Sequence, residues 1–166
     1  PQKIVFCEGT SLGRKYKDFD SLIYEKILCE KHHGATFVSV GSCSEIEDIE
    51  NKSVKMISNI LKSSEIIKFV DRDDKSDAEV DEIFQKGVKT SSRRHIECYL
   101  LDDEIIRKLC LSVGKEDLID QCVKAKAVAI QESVGRGNPQ DDIKSASGKI
   151  FTEVKRILGL TQCGNN

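Results

Sequence analysis

Ile67-Lys68-Phe69-Val70-Asp71-Arg72-Asp73-Asp74 decides how this chain reads. A short apolar run, of the length of a buried strand, stops abruptly in a cluster of acids. Lys3-Ile4-Val5-Phe6-Cys7-Glu8-Gly9 stops in the same way near the start. The two runs offer Glu8, Asp71 and Asp73 at the ends of two strands. Carboxylates gathered at one edge of a sheet repel each other at neutral pH unless a cation sits among them. Hard oxygen ligands suit Mg2+ or Mn2+.

The stretches around these runs alternate. Residues 4–7 are the first strand and 10–18 a polar loop; 19–32 carry Leu22, Ile23, Ile27 and Leu28 at helical spacing, closed by Gly34. Residues 35–40 read as the second strand. Ser44-Glu45-Ile46-Glu47 reads as a capping box opening a helix that buries Ile46, Ile49, Val54, Ile57, Ile60 and Leu61. Residues 66–70 are the third strand. Ser76 with Glu79 is a second capping box, for a helix running to Gln85 and stopped by Gly87, and 88–90 form a short fourth strand. Such alternation predicts an α/β fold whose sheet of about four strands is mainly parallel, with right-handed crossovers and flanking helices. In these sheets ligands collect beyond the carboxyl ends of the strands, where the strand order reverses. With the first and third strands as neighbours, Glu8 meets the Asp71/Asp73 pair there.

Beyond Ser91 the chain reads as helical. Asp102 or Asp103 caps a helix through Leu111, a second helix covers 115–132, and Gly135-Arg136-Gly137 is a break. Asn138-Pro139 reads as the start of a last helix, Asn as N-cap and Pro at the first helical position. That helix buries Ile143, Ala146, Ile150, Val154 and Ile157 and ends at Gly159. The expected organisation is a core over 1–110 and a helical extension over 111–166, packed as one structural domain.

A chain of 166 residues, 39% apolar and 33% charged, is long enough for a sizeable core. A formal charge of -2 excludes a strongly basic domain, so nucleic-acid contact has to come from a local patch or through a metal. There is no apolar run of membrane length and no signal-peptide pattern, and no membrane partner is expected. Seven cysteines without a C-x-x-C pair point to a reducing cytoplasm and buried thiols. The first residue is Pro1, and the expectation is a segment cut from a longer protein.

Asp71-x-Asp73 lets both carboxylates face one cation if the backbone stays extended, because residues two apart then point the same way. The alternative is an acidic turn neutralised by Arg72 and Lys75.

Cys7-Glu8-Gly9 and Val70-Asp71-Arg72-Asp73, each after its strand, resemble the Toprim domain of topoisomerases, primases and nucleases. Arg93-Arg94-His95-Ile96-Glu97-Cys98-Tyr99-Leu100-Leu101 and Gly137-Asn138-Pro139-Gln140-Asp141-Asp142-Ile143-Lys144 narrow the match. Both are similar to the Toprim domain of the overcoming-lysogenization-defect (OLD) nucleases and their relatives in bacterial anti-phage systems. The resemblance implies a Toprim-like Rossmannoid three-layer fold. It also implies a Mg2+- or Mn2+-dependent endonuclease acting on DNA or RNA. The partners it implies are nucleic acid, an ABC-type ATPase domain or subunit, and a second copy of the chain in a homo-oligomer. By resemblance Glu8 is a metal-binding or general-base glutamate, Asp71 and Asp73 are metal-binding aspartates, and Lys144 is a catalytic lysine. The metal would polarise a phosphodiester and activate water. One departure is Leu12, where the OLD nucleases place another acid; Asp18 or Asp20 stands in from a longer loop. No G-x-x-x-x-G-K-[ST] is present, so the chain carries no P-loop of its own.

Arg93 and Arg94 suit phosphate through their guanidinium forks, or else pair with Asp102, Asp103 or Glu104. Lys144, a cation near a helix N-terminus, either meets a scissile phosphate or pairs locally with Asp141 and Asp142. Glu97 is expected to buttress the arginines, His95 to be a satisfied loop histidine, and His32 and His33 to sit at a helix C-terminus. Two other classes remain: a phosphate-accepting receiver, disfavoured because Gly9 follows Glu8, and a catalytically inactive Toprim-like module that senses nucleic acid or regulates an ATPase.

Overall fold

The computed structural model describes residues 3–9, 19–28, 31–47, 55–56, 59–60 and 64–160. Its contacts divide the chain into two compact units, Pro1–Ser92 and Arg93–Asn166.

The first unit is an α/β sheet with four strands, β1 Lys3–Cys7, β2 Ala35–Ser39, β3 Glu65–Val70 and β4 Val88–Thr90. They lie in the order β2-β1-β3-β4, and every pairing is parallel. Among the described residues the flanking helices are α1 Phe19–Leu28, α2 Cys43–Glu47 and α3 Asp77–Gln85, with 55–56 and 59–60 also helical. Phe69 and Val70 are consecutive in β3 and therefore point to opposite faces. Tyr24 of α1 packs its ring against Phe37 and Phe69. Ile46 of α2 and Ile83 of α3 cluster with Val70 and Val88. Helices thus cover both faces, which is why β1 is buried at Ile4, Val5, Phe6 and Cys7 alike.

Local signals explain most of these boundaries. Ser76 caps α3 through a complete capping box with Glu79, and Gly87 follows the helix at φ 81. At α2 the reach-back of Glu45 goes to Ser42 rather than to Ser44, and only that half of a capping box forms. Glu45 Oε2 accepts hydrogen bonds from the Ser42 amide (2.7 Å) and hydroxyl (2.9 Å), so α2 starts at Cys43. Ile60, expected on a buried side, is exposed, while Ile49, Val54, Ile57 and Leu61 lie outside the described residues. α1 ends at Leu28, so His32 and His33 stand in the turn before β2, where Gly34 has φ 90.

The second unit contains α4 Glu97–Leu100, α5 Asp103–Ser112, a 3-10 turn at Glu116–Leu118, α6 Ile119–Gly135 and α7 Ile143–Ile157. Ala146, Ile150 and Val154 recur every fourth residue on α7. They meet Ile106 and Cys110 of α5 and Cys122 and Ala129 of α6 in one buried cluster. α5 therefore contributes to the helical unit's core, and that unit starts at Arg93, whereas the expected core spans 1–110. α7 begins at Ile143, not at Asn138-Pro139: Asp142 is its N-cap and accepts from the Ser145 amide. Asn138 and Pro139 form the preceding turn, with the Asn138 amide donating to the Ser133 carbonyl and the Asp142 amide to that of Pro139.

Three of the cysteines, Cys7, Cys110 and Cys122, are buried free thiols, as a core reading requires. Among the described residues no helix is long and apolar enough to cross a membrane.

Candidate functional site

The order β2-β1-β3-β4 reverses direction between β1 and β3, so the crevice beyond their carboxyl ends is the switch point. Glu8 leaves β1 there and Asp71 leaves β3. The two meet: Glu8 Oε1 accepts a 2.9 Å hydrogen bond from the Asp71 backbone N–H, across 63 residues of sequence. Gly9 makes this turn possible. It has φ 142 and exchanges backbone hydrogen bonds with Gly41 at 3.0 and 2.9 Å. A Cβ on Gly9 would stand 2.6 Å from Ser39 Oγ and 2.9 Å from Ser39 Cβ. No side chain fits there, and left-handed backbone favours glycine.

Electrostatics show how many acids share this end of the sheet. The buried Cys7 thiol is pushed up to about 12 by burial first, then by the charges of Asp20, Asp71 and Glu8, against a lowering hydrogen bond with Ser39. Asp20, in the first turn of α1, lies close enough for its charge to act on the Cys7 thiol. Leu12 and Asp18 lie outside the described residues.

The Asp71-x-Asp73 pair is not extended. β3 ends at Val70, and Asp73 occupies a turn at φ 47, a left-handed conformation that Asp tolerates better than most residues. Asp71 is buried at 7% exposure, while the Asp73 side chain is 45% exposed. The expectation of an extended pair therefore fails on backbone geometry. Two serines and a lysine hold the loop instead. The Ser91 hydroxyl accepts from the Arg72 amide at 3.0 Å, and the Ser91 amide donates to the Val70 carbonyl at 3.1 Å. Ser76 supplies the cap of α3. Lys75 reaches back: its Nζ donates to the Asp71 carbonyl at 3.1 Å, lies 3.9 Å from Asp73 Oδ2 and hydrogen-bonds with Cys43. Arg72 turns away to pair with Asp77.

These carboxylates have the chemistry for a hard divalent ion, but their arrangement does not fit one. Among the described residues no three His, Cys, Asp or Glu side chains gather in a group that could hold a metal. One Glu8 oxygen is engaged by an amide, Asp73 lies in a turn with its side chain half-exposed, and the Lys75 ammonium stands 3.9 Å from Asp73 Oδ2.

The second unit carries the other candidates. Arg93 donates to the Cys98 carbonyl at 2.7 Å and to Asp102 Oδ2 at 2.6 Å, and its guanidinium lies 5.1 Å from the Tyr99 ring centroid. Arg94 pairs with Asp141 at 3.4 Å and is largely buried. Both arginines thus take the acid-paired arrangement, Arg94 with an acid the sequence reading had not assigned. Glu97 does not buttress them; it faces His95, with Oε2 at 3.4 Å from Nδ1 and no hydrogen bond to that oxygen. His95 is almost fully buried, and its Nε2 lies 3.1 Å from Asp142 Oδ1. Lys144 is exposed at the second helical position of α7, nearer the helix start than the sequence suggested.

The His95–Asp142 contact gives a pH signature. Partial burial pushes the Asp142 carboxyl up. Hydrogen bonds from the Ser145 hydroxyl and amide and from His95 outweigh this and hold it below the usual carboxylate range. A lowered folded value means that the stabilisation is complete above the unfolded pKa of about 4 and is lost as pH falls through the folded value. Asp142→Ala is expected to cost about 2 kcal/mol at pH 7, through the lost cap and the unpaired histidine. The difference from the parent should shrink as pH falls below about 4, where the Asp142 carboxyl takes up its proton. Urea titrations at stepped pH check this; a difference that grew on acidification would contradict it.

The sequence alone gave no sign of Cys43 beside Lys75 or of His95 against Asp142, because those partners are remote in the chain. Lys75 was visible as a neutralising residue, two positions after Asp73. No family model, no curated protein and no solved structure matches the chain.

Proposed function

We propose that the chain is a Toprim-like nuclease domain of the OLD type, hydrolysing phosphodiester bonds of DNA or RNA with Mg2+ or Mn2+, as the effector part of an ATPase-controlled anti-phage system. One observation carries the reading: Glu8 and Asp71 meet at the switch point between β1 and β3. That is where parallel sheets bind ligands, and the two motifs that meet are those that resemble the family. In this proposal the Asp71 amide orients the Glu8 carboxylate, as a general base has to be oriented before its basicity matters. The divalent ion would supply Lewis-acid chemistry to the phosphate, although the residues as arranged do not hold it. Through the resemblance, Arg93 and Arg94 belong to the proposal as phosphate-binding residues and Lys144 as its catalytic lysine.

The deciding experiment incubates the chain with plasmid and with tRNA, with Mg2+ and with Mn2+, alone and with an ABC-type ATPase partner. Cleavage that depends on the divalent ion is the expected result. Lys144→Ala should lose most turnover, on the order of 100-fold, as removal of one stabilising group does in other enzymes. Lys149→Ala, on the same helix as Lys144 and paired with Glu132 of α6, should lose little. Equal activity of both variants would take Lys144 out of the reaction.

The alternative is a catalytically inactive module that senses nucleic acid or regulates an ATPase. The position of Lys75 among the acids favours it. Nucleic-acid or ATPase binding without cleavage under every metal condition would select this alternative.

A further inference from the structure

The helical unit holds a cluster that the nuclease reading does not use. Cys98 Sγ lies 3.4 Å from His95 Nδ1, and His95 Nε2 lies 3.1 Å from Asp142 Oδ1. A thiol, an imidazole and a carboxylate thus stand in series, and such sets are recognised by geometry and role rather than by order in the chain. The ring is buried, whereas Cys98 keeps part of its surface exposed. Asp142, ionised at neutral pH, can only accept, so Nε2 carries the ring's proton and Nδ1 turns its lone pair to the thiol. The thiol's other acceptor, the Asp141 carbonyl at 3.6 Å, cannot take up a proton; the imidazole can.

A second observation points the same way. Glu97 Oε2 is buried without a hydrogen bond and lies 3.4 Å from Nδ1. Buried polar atoms are nearly always partnered, and against an unprotonated nitrogen this oxygen faces another acceptor. Moving the thiol proton to Nδ1 makes the ring an imidazolium set between two carboxylates, Glu97 and Asp142. The orphaned oxygen then has a positive neighbour.

We propose that Cys98 is a nucleophilic thiol whose proton His95 takes while Asp142 orients the ring, and that its reactant is a small hydroperoxide. The sulfur attacks the hydroxyl oxygen of the peroxide; an S–O bond forms and the O–O bond breaks. The leaving oxygen takes the proton from Nδ1. Sulfur is oxidised to the sulfenic acid, and the peroxide is reduced to water or an alcohol. A hydroperoxide suits the site because its leaving oxygen needs a proton, and the ring holds one within reach of the sulfur. A small reactant suits a sulfur that is only partly open. The proposal goes beyond the nuclease reading and does not depend on it.

The test follows iodoacetamide labelling of the Cys98 peptide by mass spectrometry at pH 7, in the folded chain and in urea. An ordinary thiol is only slightly ionised there, so the folded chain is expected to label Cys98 about tenfold faster than the unfolded one. Partial burial alone would slow it. His95→Asn and Asp142→Asn should each bring the folded rate down to the unfolded rate or below. Asparagine at 142 can still cap α7, so a loss there reports on the ring and not on the helix. A folded rate no faster than the unfolded one overturns the proposal, and this comparison on the parent stands even if the variants do not fold. A fast Cys98 that either substitution leaves unslowed also overturns it. Hydrogen peroxide followed by dimedone should then place the sulfenic-acid adduct on Cys98 in the parent and several-fold less in His95→Asn. Fast labelling by iodoacetamide without that adduct overturns the hydroperoxide as reactant.

Discussion

Asp71→Asn combined with Asp73→Asn is expected to lose divalent-dependent cleavage by about 1000-fold or more, at the upper end of what removing charged active-site groups costs, while keeping its fold. Asparagine rather than alanine is the right replacement. Asp73 stands at φ 47, where asparagine is as tolerant as aspartate and alanine is not. Asp71 is buried, and an amide of the same shape avoids a cavity. The ion pair that is lost is the 3.9 Å contact of the half-exposed Asp73 with Lys75, and pairs of that kind contribute less than about 1 kcal/mol. Removing two like charges also relieves repulsion with Glu8 and Asp20. The melting temperature should therefore move by only a few degrees in either direction. Plasmid and tRNA digestion read the first outcome, and thermal circular dichroism the second. Full activity would remove both aspartates from the reaction, and a collapsed fold would make them structural.

Phe6→Ala is expected to cost the sheet unit about 3–5 kcal/mol. Phe6 has no exposed surface and packs with Ile4, Val38, Val40 and Ile66 in the middle of the sheet. Truncation removes the ring's burial and leaves a cavity on one face of the sheet, which close-packed neighbours refill only in part. Since a whole domain is stable by about 5–15 kcal/mol, the variant sits near unfolding. Phe6 also precedes Cys7 and Glu8 in β1, so loosening it would disturb the Glu8 contact with Asp71. Leu22→Ala on α1, where the side chain is 52% exposed, should change stability by less than about 0.5 kcal/mol. Urea denaturation with unchanged slope distinguishes the two, and equal midpoints for both variants would contradict the placement of β1 at the core.

Signals that act within a few residues were enough to lay out the elements. Unbroken apolar runs marked β1 and β3 as strands covered on both sides, and the alternation with helices dictated parallel pairing through crossovers. Ser76 with Glu79, and Gly87 after α3, set one helix at both ends because caps are satisfied by their own neighbours. Where two candidate caps compete, the sequence does not choose. Ser42 won over Ser44, since Gly41 at φ 119 turns the chain so that the Ser42 amide and hydroxyl both meet Glu45. Asp142 won over Asn138 because its carboxylate also satisfies the buried His95, a partner 47 residues away.

The strand-end site was legible only in its ingredients. The sequence by itself determined that Glu8 and Asp71 each end a strand of a mainly parallel sheet, because apolar runs and their alternation with helices are set along the chain; that the two strands are neighbours was decided by the assembled sheet. Tertiary structure alone decided how the acids are used. Asp73 leaves the extended path because the loop is pinned by Ser91 and Lys75, and the charge of Asp20 reaches Cys7 from α1. Lys75 meets Cys43 at the start of another helix. Pattern and capping are short-range and repeat along the chain. Charge placement depends on contacts across tens of residues, and those exist only once the sheet is assembled.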